Sequence, residues 1–146
     1  MLLMRAVALV LALAPLAARA GCLRYEPDVV TLSGTLLTRT FYGPPNFGED
    51  PATDSKERQV LLRLDAPICT ITSADREDVA EADQRDVTLV QTDLDLRPYI
   101  GKHVRVQGTL FHAITAHHHT SVLIETRTLP TLTAGPSSKT KHHASK

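Results

Sequence analysis

The sequence predicts a mainly β domain, a small five-stranded OB-like barrel with one short helical segment, preceded by a signal peptide. Three observations carry that expectation. Five short runs alternate apolar and polar side chains and are rich in β-branched residues, as half-buried strands are. Two of the runs contain a glycine, Gly34 and Gly108, where a strand can bend as it curls into a barrel. A short helical piece precedes the fourth run, which fits a five-stranded barrel of the OB type. An open sandwich of the same strands is the alternative.

The chain begins with residues 1–20, in which Arg5 gives a positive start and Ala6 to Ala18 is an unbroken apolar run. Ala18-Arg19-Ala20 then satisfies the small-x-small rule for signal peptidase. The apolar run falls short of the roughly 20 helical residues that span a bilayer core, so a transmembrane anchor is the weaker reading. Cys22 so close to the cleavage point also raises lipidation, but Arg19 stands where a lipidation signal has an aliphatic residue. The expectation is an exported chain, periplasmic or secreted, with a β domain over 21–133.

The first strand is expected over Val29–Phe41, with a bulge or bend at Gly34 and where the apolar parity shifts between Leu36 and Leu37. Residues 43–51 hold three prolines and two glycines and read as a long loop. Gln59–Asp65 is the second strand, with Val60, Leu62 and Leu64 on one face, broken by Pro67. The acidic stretch Ser73–Asp86 reads as a solvated, charged loop with room for one short helix. It lacks the D-x-[DN]-x-[DN]-G spacing of a calcium loop. Val87–Thr92 is the third strand and Leu94–Ile100 the helical stub. Lys102–His112 is the fourth strand, with Val104, Val106 and Leu110 facing inward, and Ser121–Leu129 is the fifth. His103 has the opposite parity to Val104 and is expected on the exposed surface. From Ala134 to Lys146 nothing is apolar enough to bury, and a disordered tail is expected there.

Cys22 and Cys69 are the only cysteines, and an even pair in a small exported domain is most simply a disulfide. It would pin the mature N-terminus to the second strand.

Composition narrows the partners. The whole chain is formally neutral, with 16 basic and 16 acidic residues. Without the leader and the lysines of the tail, the folded part carries a net charge of −5. A polyanion partner requires a basic footprint, and stacking platforms are scarce in a chain without Trp. Nucleic acid is therefore excluded as an expected partner.

Two segments carry candidate chemistry. His112, His117, His118 and His119 lie in the connection between the last two strands. Alternation sends His117 and His119 to one side and His118 to the other. Converging imidazoles would suit Zn²⁺ or Cu²⁺, and three with an open position would activate water as in a metal-dependent hydrolase. The competing expectation is that these rings hydrogen-bond their own connection and stabilise it. The second candidate is the loop of Phe41, Tyr42, Pro44, Pro45, Asn46 and Phe47, a stiff aromatic segment able to face a ligand or protein, or to cap its own barrel. Neither Ser33 nor Ser121 has the surroundings of a catalytic nucleophile. The leading expectation is a non-catalytic binding module for an envelope protein or small ligand, with the metal site as the alternative.

Several motifs together resemble an uncharacterised family of exported bacterial proteins. They include Cys22-Leu-x-Tyr25-Glu-Pro27, Thr40-Phe-x-Gly-Pro-Pro-Asn46 and Pro67-Ile-Cys69. Gly108-Thr-Leu-Phe-His112-Ala-x-Thr115 and His117-His-His-Thr120 complete the set. The resemblance runs over nearly all of Cys22 to Ile124 and implies no activity, because the family is a domain of unknown function. Tyr42 and Ala116 depart from it, standing where proline and glycine are expected.

Overall fold

The structure, a computed structural model, describes residues 21–136 apart from 76 and 92. The expected signal peptide and most of the expected tail, with His142 and His143, lie outside the described residues. The fold is all-β: β1 (Val29–Tyr42), β2 (Lys56–Ile68), β3 (Gln84–Gln91), β4 (His103–His112), β5 (Val122–Thr126) and β6 (Thr131–Leu132). Among the described residues the only helical turn is a 3-10 turn at Arg97–Tyr99, and no helix is long and apolar enough to cross a membrane.

The pairings run in a ring. β1 pairs antiparallel with β2, and β2 with β3. β3 pairs in parallel with β5, β5 antiparallel with β4, and β4 antiparallel with β1. β1 serves both ends of this circuit because it is long. Its C-terminal part lies on β2 and its N-terminal part on β4, and Gly34 is opposite both Leu64 and Val104. A Cβ at Gly34 would stand 2.1 Å from the Arg63 carbonyl oxygen, and one at Gly108 would stand 2.1 Å from that of Glu125. Both glycines were expected at bends. Their physical requirement is close approach of a neighbouring backbone, which any side chain would block.

The interior follows strand alternation. Leu32 and Leu36 of β1, Leu62 of β2, Val87 and Leu89 of β3, Val104, Val106 and Leu110 of β4, and Val122 and Ile124 of β5 form one buried cluster. Tyr25 enters it from the N-terminal segment, where Cys22 is disulfide-bonded to Cys69. Leu23 bridges Thr70 beside that bond, its N–H donating to the Cys69 carbonyl (2.8 Å). The expected staple of the N-terminus to the end of β2 is present.

Several expectations are corrected. No bulge interrupts β1, whose register with β2 is continuous from Gly34 to Tyr42. Leu36 and Leu37 are both accommodated because they enter opposite faces, each of which is covered. The irregularity is in β2, between Arg63 and Ile68, and it lets Pro67 sit within the strand without a ladder donor. Instead of a helix, the acidic stretch supplies turns and then the start of β3. The last strand stops at Thr126, and the chain turns back as β6 against Val104 and Arg105. That return buries most of His103, whose side chain is only 14% exposed. Its Nε2 hydrogen-bonds Asp65 at 2.9 Å and its Nδ1 meets Thr133 Oγ1 at 2.7 Å.

Candidate functional site

The site is built on the outer face of the sheet. Leu37, Leu61, Thr88, Leu123 and Phe111 are successive cross-strand partners from β1 to β4, so they share one face, opposite to that of Leu36 and Leu62. An outer face is ordinarily polar and wet, yet Leu61 and Leu123 are fully buried. The β4–β5 connection, residues 113–121, which carries the histidines, lies against this face, with Thr120 on Thr88 and His118 on Phe111.

Four of its residues fasten that connection down. Thr120 Oγ1 accepts the Thr88 N–H at 3.1 Å and lies 2.8 Å from the Thr88 hydroxyl. Gln59 Nε2 donates to the His117 carbonyl. The His118 ring meets the Phe111 ring edge-on at 5.6 Å between centroids. His119 stacks on Phe41 at 4.3 Å, with only 4° between the ring planes.

The histidines divide among three surroundings. His117 Nδ1 and His119 Nε2 both hydrogen-bond Glu57, on Oε1 and Oε2 respectively, the latter at 2.8 Å. Glu57 is opposite Phe41 in the β1–β2 ladder, which is why one end of that ladder holds both histidines. The hydrogen bond from His119, joined by that from His117, holds the Glu57 carboxyl below the usual carboxylate range. His118 turns the other way, and its Nδ1 accepts the Ile114 N–H at 3.1 Å. Burial, and then the charge of the neighbouring histidines, lowers the pKa of His118, which favours that accepting neutral ring. His112 lies apart from the triplet, its Nε2 2.9 Å from Glu81 Oε1 and its Nδ1 donating to the Ala113 carbonyl at 3.0 Å. Both of its ring nitrogens are thus already engaged with oxygen atoms of the protein. Among the described residues, no group of three or more His, Cys, Asp or Glu is arranged to hold a metal ion.

The second candidate segment meets the first. Phe47 sets its ring edge against His117, with centroids 5.1 Å apart. Phe41 and Phe47 are therefore half-buried packing residues, while Tyr42, Pro44, Pro45 and Asn46 are exposed. The loop is anchored by Asp54, which accepts the N–H groups of Asn46 (2.8 Å) and Gly48 (2.6 Å). Burial acts to raise the Asp54 pKa, but these hydrogen bonds outweigh it and leave the carboxyl lowered. At Gly43 a Cβ would fall 2.6 Å from Ser55 Oγ and 2.7 Å from Glu57 Cγ, so a side chain here would displace those of Ser55 and Glu57. The Lys56 ammonium sits 3.1 Å from the centre of the Tyr42 ring.

A further polar group lies by the disulfide. Tyr25 donates its hydroxyl to the Val79 carbonyl at 2.7 Å and accepts from Thr70 Oγ1 at 2.9 Å. Burial raises its pKa. The Thr70 N–H donates to the Glu81 carbonyl at 2.8 Å, the Glu81 N–H donates to Thr70 Oγ1 at 3.0 Å, and Asp78 accepts the His112 N–H at 2.9 Å.

Sequence reasoning identified the histidines and the proline loop but missed Glu57, Asp54, Asp78 and Glu81, which hold them. Glu57 stands in an ordinary run of charges, and Asp78 and Glu81 in a stretch read as solvated. Only the three-dimensional register discloses their partners.

Neither a curated protein nor a solved structure matches the chain. Residues 85–129, under a third of the chain, carry β3, β4, the histidine connection and β5, and they match the family model described as a domain of unknown function (DUF4431).

Proposed function

We propose that this chain is an exported, non-catalytic binding module that recognises an envelope protein or a small ligand in the periplasm or outside the cell. The observation that carries the reading is Glu57, at the start of β2, which holds the β4–β5 connection through His117 and His119 where Phe47 of the β1–β2 loop meets His117, so that loop and connection form one surface. Segments some 60 positions apart in sequence are thereby fixed relative to each other, and preorganisation of this kind reduces the ordering cost of binding. Exposed Tyr42, Pro44, Pro45 and Asn46 form its recognition edge on the loop side, and Ile114, 76% exposed, on the other.

The strand ring supports the finer reading of an OB-like barrel over 21–133, since β1, β2, β3, β5 and β4 follow one another around it. In such barrels the loops after the first and fourth strands border the binding face. Export is supported by the leader-like residues 1–20 and by the Cys22–Cys69 bond, which suits an oxidising compartment.

A photo-reactive phenylalanine analogue in place of Tyr42, introduced into the exported chain, tests the proposal. It is expected to crosslink one discrete envelope species, and the Glu57→Gln background is expected to remove that product. The same products from an analogue placed at Val29, which is also exposed, would overturn the assignment of this surface.

A further inference from the structure

A separate cleft opens where β2 and β3 part. Their ladder runs through Arg63, Leu62 and Leu61 and stops at Leu61 opposite Thr88. Both strands nevertheless continue. β2 extends back to Lys56 along β1, and β3 extends forward to Gln91 along β5. Residues 58–60 and 89–91 thus border a gap in the ring instead of pairing across it. The β3–β4 connection turns across the mouth of this gap. Gln91 Oε1 accepts the Leu94 N–H at 2.7 Å, and Leu96 accepts the Tyr99 N–H at 3.0 Å. The result is a cleft of about 570 Å³, next to a smaller one of about 310 Å³ that shares Arg58, Val60, Gln91 and Leu96 with it and is lined also by His118. The larger volume lies within the range of small-molecule sites, roughly 300–1,000 Å³.

Its walls have two characters. Val60, Leu94, Leu96 and Ile100 give an apolar floor that joins the core. At the rim are two arginines, which differ in what their charge already meets. Arg97 is bound through two nitrogens to Asp95, at 2.8 and 2.9 Å. Arg58 has only the neutral Thr38 hydroxyl, at 3.2 Å, and among the described residues no carboxylate pairs with it. Arg39 and Arg63, its neighbours along the sheet, are both held by Asp86.

The geometry points to a small-molecule site at this β2–β3 gap for an anion with an apolar body, such as a carboxylate or sulfonate on a hydrocarbon chain or ring system. The body lies on Val60, Leu94, Leu96 and Ile100, and the anionic head pairs with Arg58. The guanidinium presents a planar fork to such a head. The site uses none of the Phe41–Phe47 loop and does not depend on the surface proposed above.

Fluorescence titration of the chain with anilinonaphthalene sulfonate, followed by displacement with decanoate and with decanol, tests it. Saturable one-to-one binding is expected, with decanoate displacing the probe at least about tenfold better than decanol, the factor that one modest charged contact supplies. Arg58→Ala is expected to remove that preference, Arg58→Lys to keep most of it, and Arg97→Ala to leave it unchanged because Asp95 already takes that charge. Arg58 is exposed, so these variants retain the fold, checked by an unchanged unfolding midpoint. Non-saturable binding, equal displacement by decanol and decanoate, or an Arg58→Ala chain indistinguishable from the parent would each overturn the proposal.

Discussion

Two glutamates each hold histidine in this molecule, and their surroundings differ. Glu81 binds His112 beside Thr70, Tyr25 and the Cys22–Cys69 bond, where a covalent link and a core tyrosine already fix the backbone. Glu57 binds His117 and His119 on the outer face, with only loops beyond it, and His117 is more than half exposed. The same chemistry therefore serves two ends. By the disulfide it completes a joint that the fold requires, and at Glu57 it sets the position of a surface over a sheet that is already folded.

The largest expected effect falls on the first region. Replacing both cysteines by serine frees a closure of 47 residues, and the chain-entropy relation puts the loss at about 4 kcal/mol. Denaturant unfolding of the oxidised parent and the double variant measures it. A loss much below that would mean that Tyr25 and its partners hold the N-terminal segment unaided. Tyr25→Phe tests that contribution alone. It leaves Val79 and Thr70 without the hydroxyl and is expected to cost about 1–2 kcal/mol in the same assay.

At Glu57 the expectation is reversed. Glu57→Gln should scarcely move the unfolding midpoint, but it should speed amide exchange at least about tenfold at Phe47 and His118, as local opening of a loosened loop does. A large drop in global stability with uniform exchange would erase the contrast between the regions.

Acidification separates the groups within the surface. His118 has a lowered pKa, so its contribution is complete above the ordinary value of 6.5 and is lost as pH falls through the lowered one. Glu57 is also lowered, so its contribution is present above the ordinary carboxylate value of 4.5 and is lost only as pH falls through a value below that. The Ile114 amide, held by His118, is therefore expected to begin exchanging at a higher pH than the Phe47 amide. The smallest effect is expected from metal. Calorimetry with Zn²⁺ on a chain ending at Pro136 should give only dilution heats, and saturable binding abolished by His117→Ala would contradict the division of the histidines.

Much of the strand pattern was legible in the sequence, because alternation records burial wherever one face is wet. Val104, Val106 and Leu110 show it cleanly, and Gly34 and Gly108 mark where backbones crowd. The pattern misled where the outer face is also covered. Leu36-Leu37 read as a parity slip, whereas the two side chains enter opposite faces, as do those of Leu61 and Leu62, which are both buried. His103 looked exposed for the corresponding reason, since β6, too short to show a period, returns over it. The histidines were visible as a cluster, but their partners were not. The hydrogen bond between Glu57 and His119 spans 62 positions and follows from ladder register, which no local pattern encodes.

The stacking of His119 on Phe41 is the most direct report on the central claim that the histidine connection is fastened to the sheet beside Glu57. Nuclear Overhauser contacts between the two rings, in the oxidised chain near neutral pH without added metal, are expected to be strong and to weaken in Glu57→Gln. Absence of those contacts in the parent chain would contradict the account.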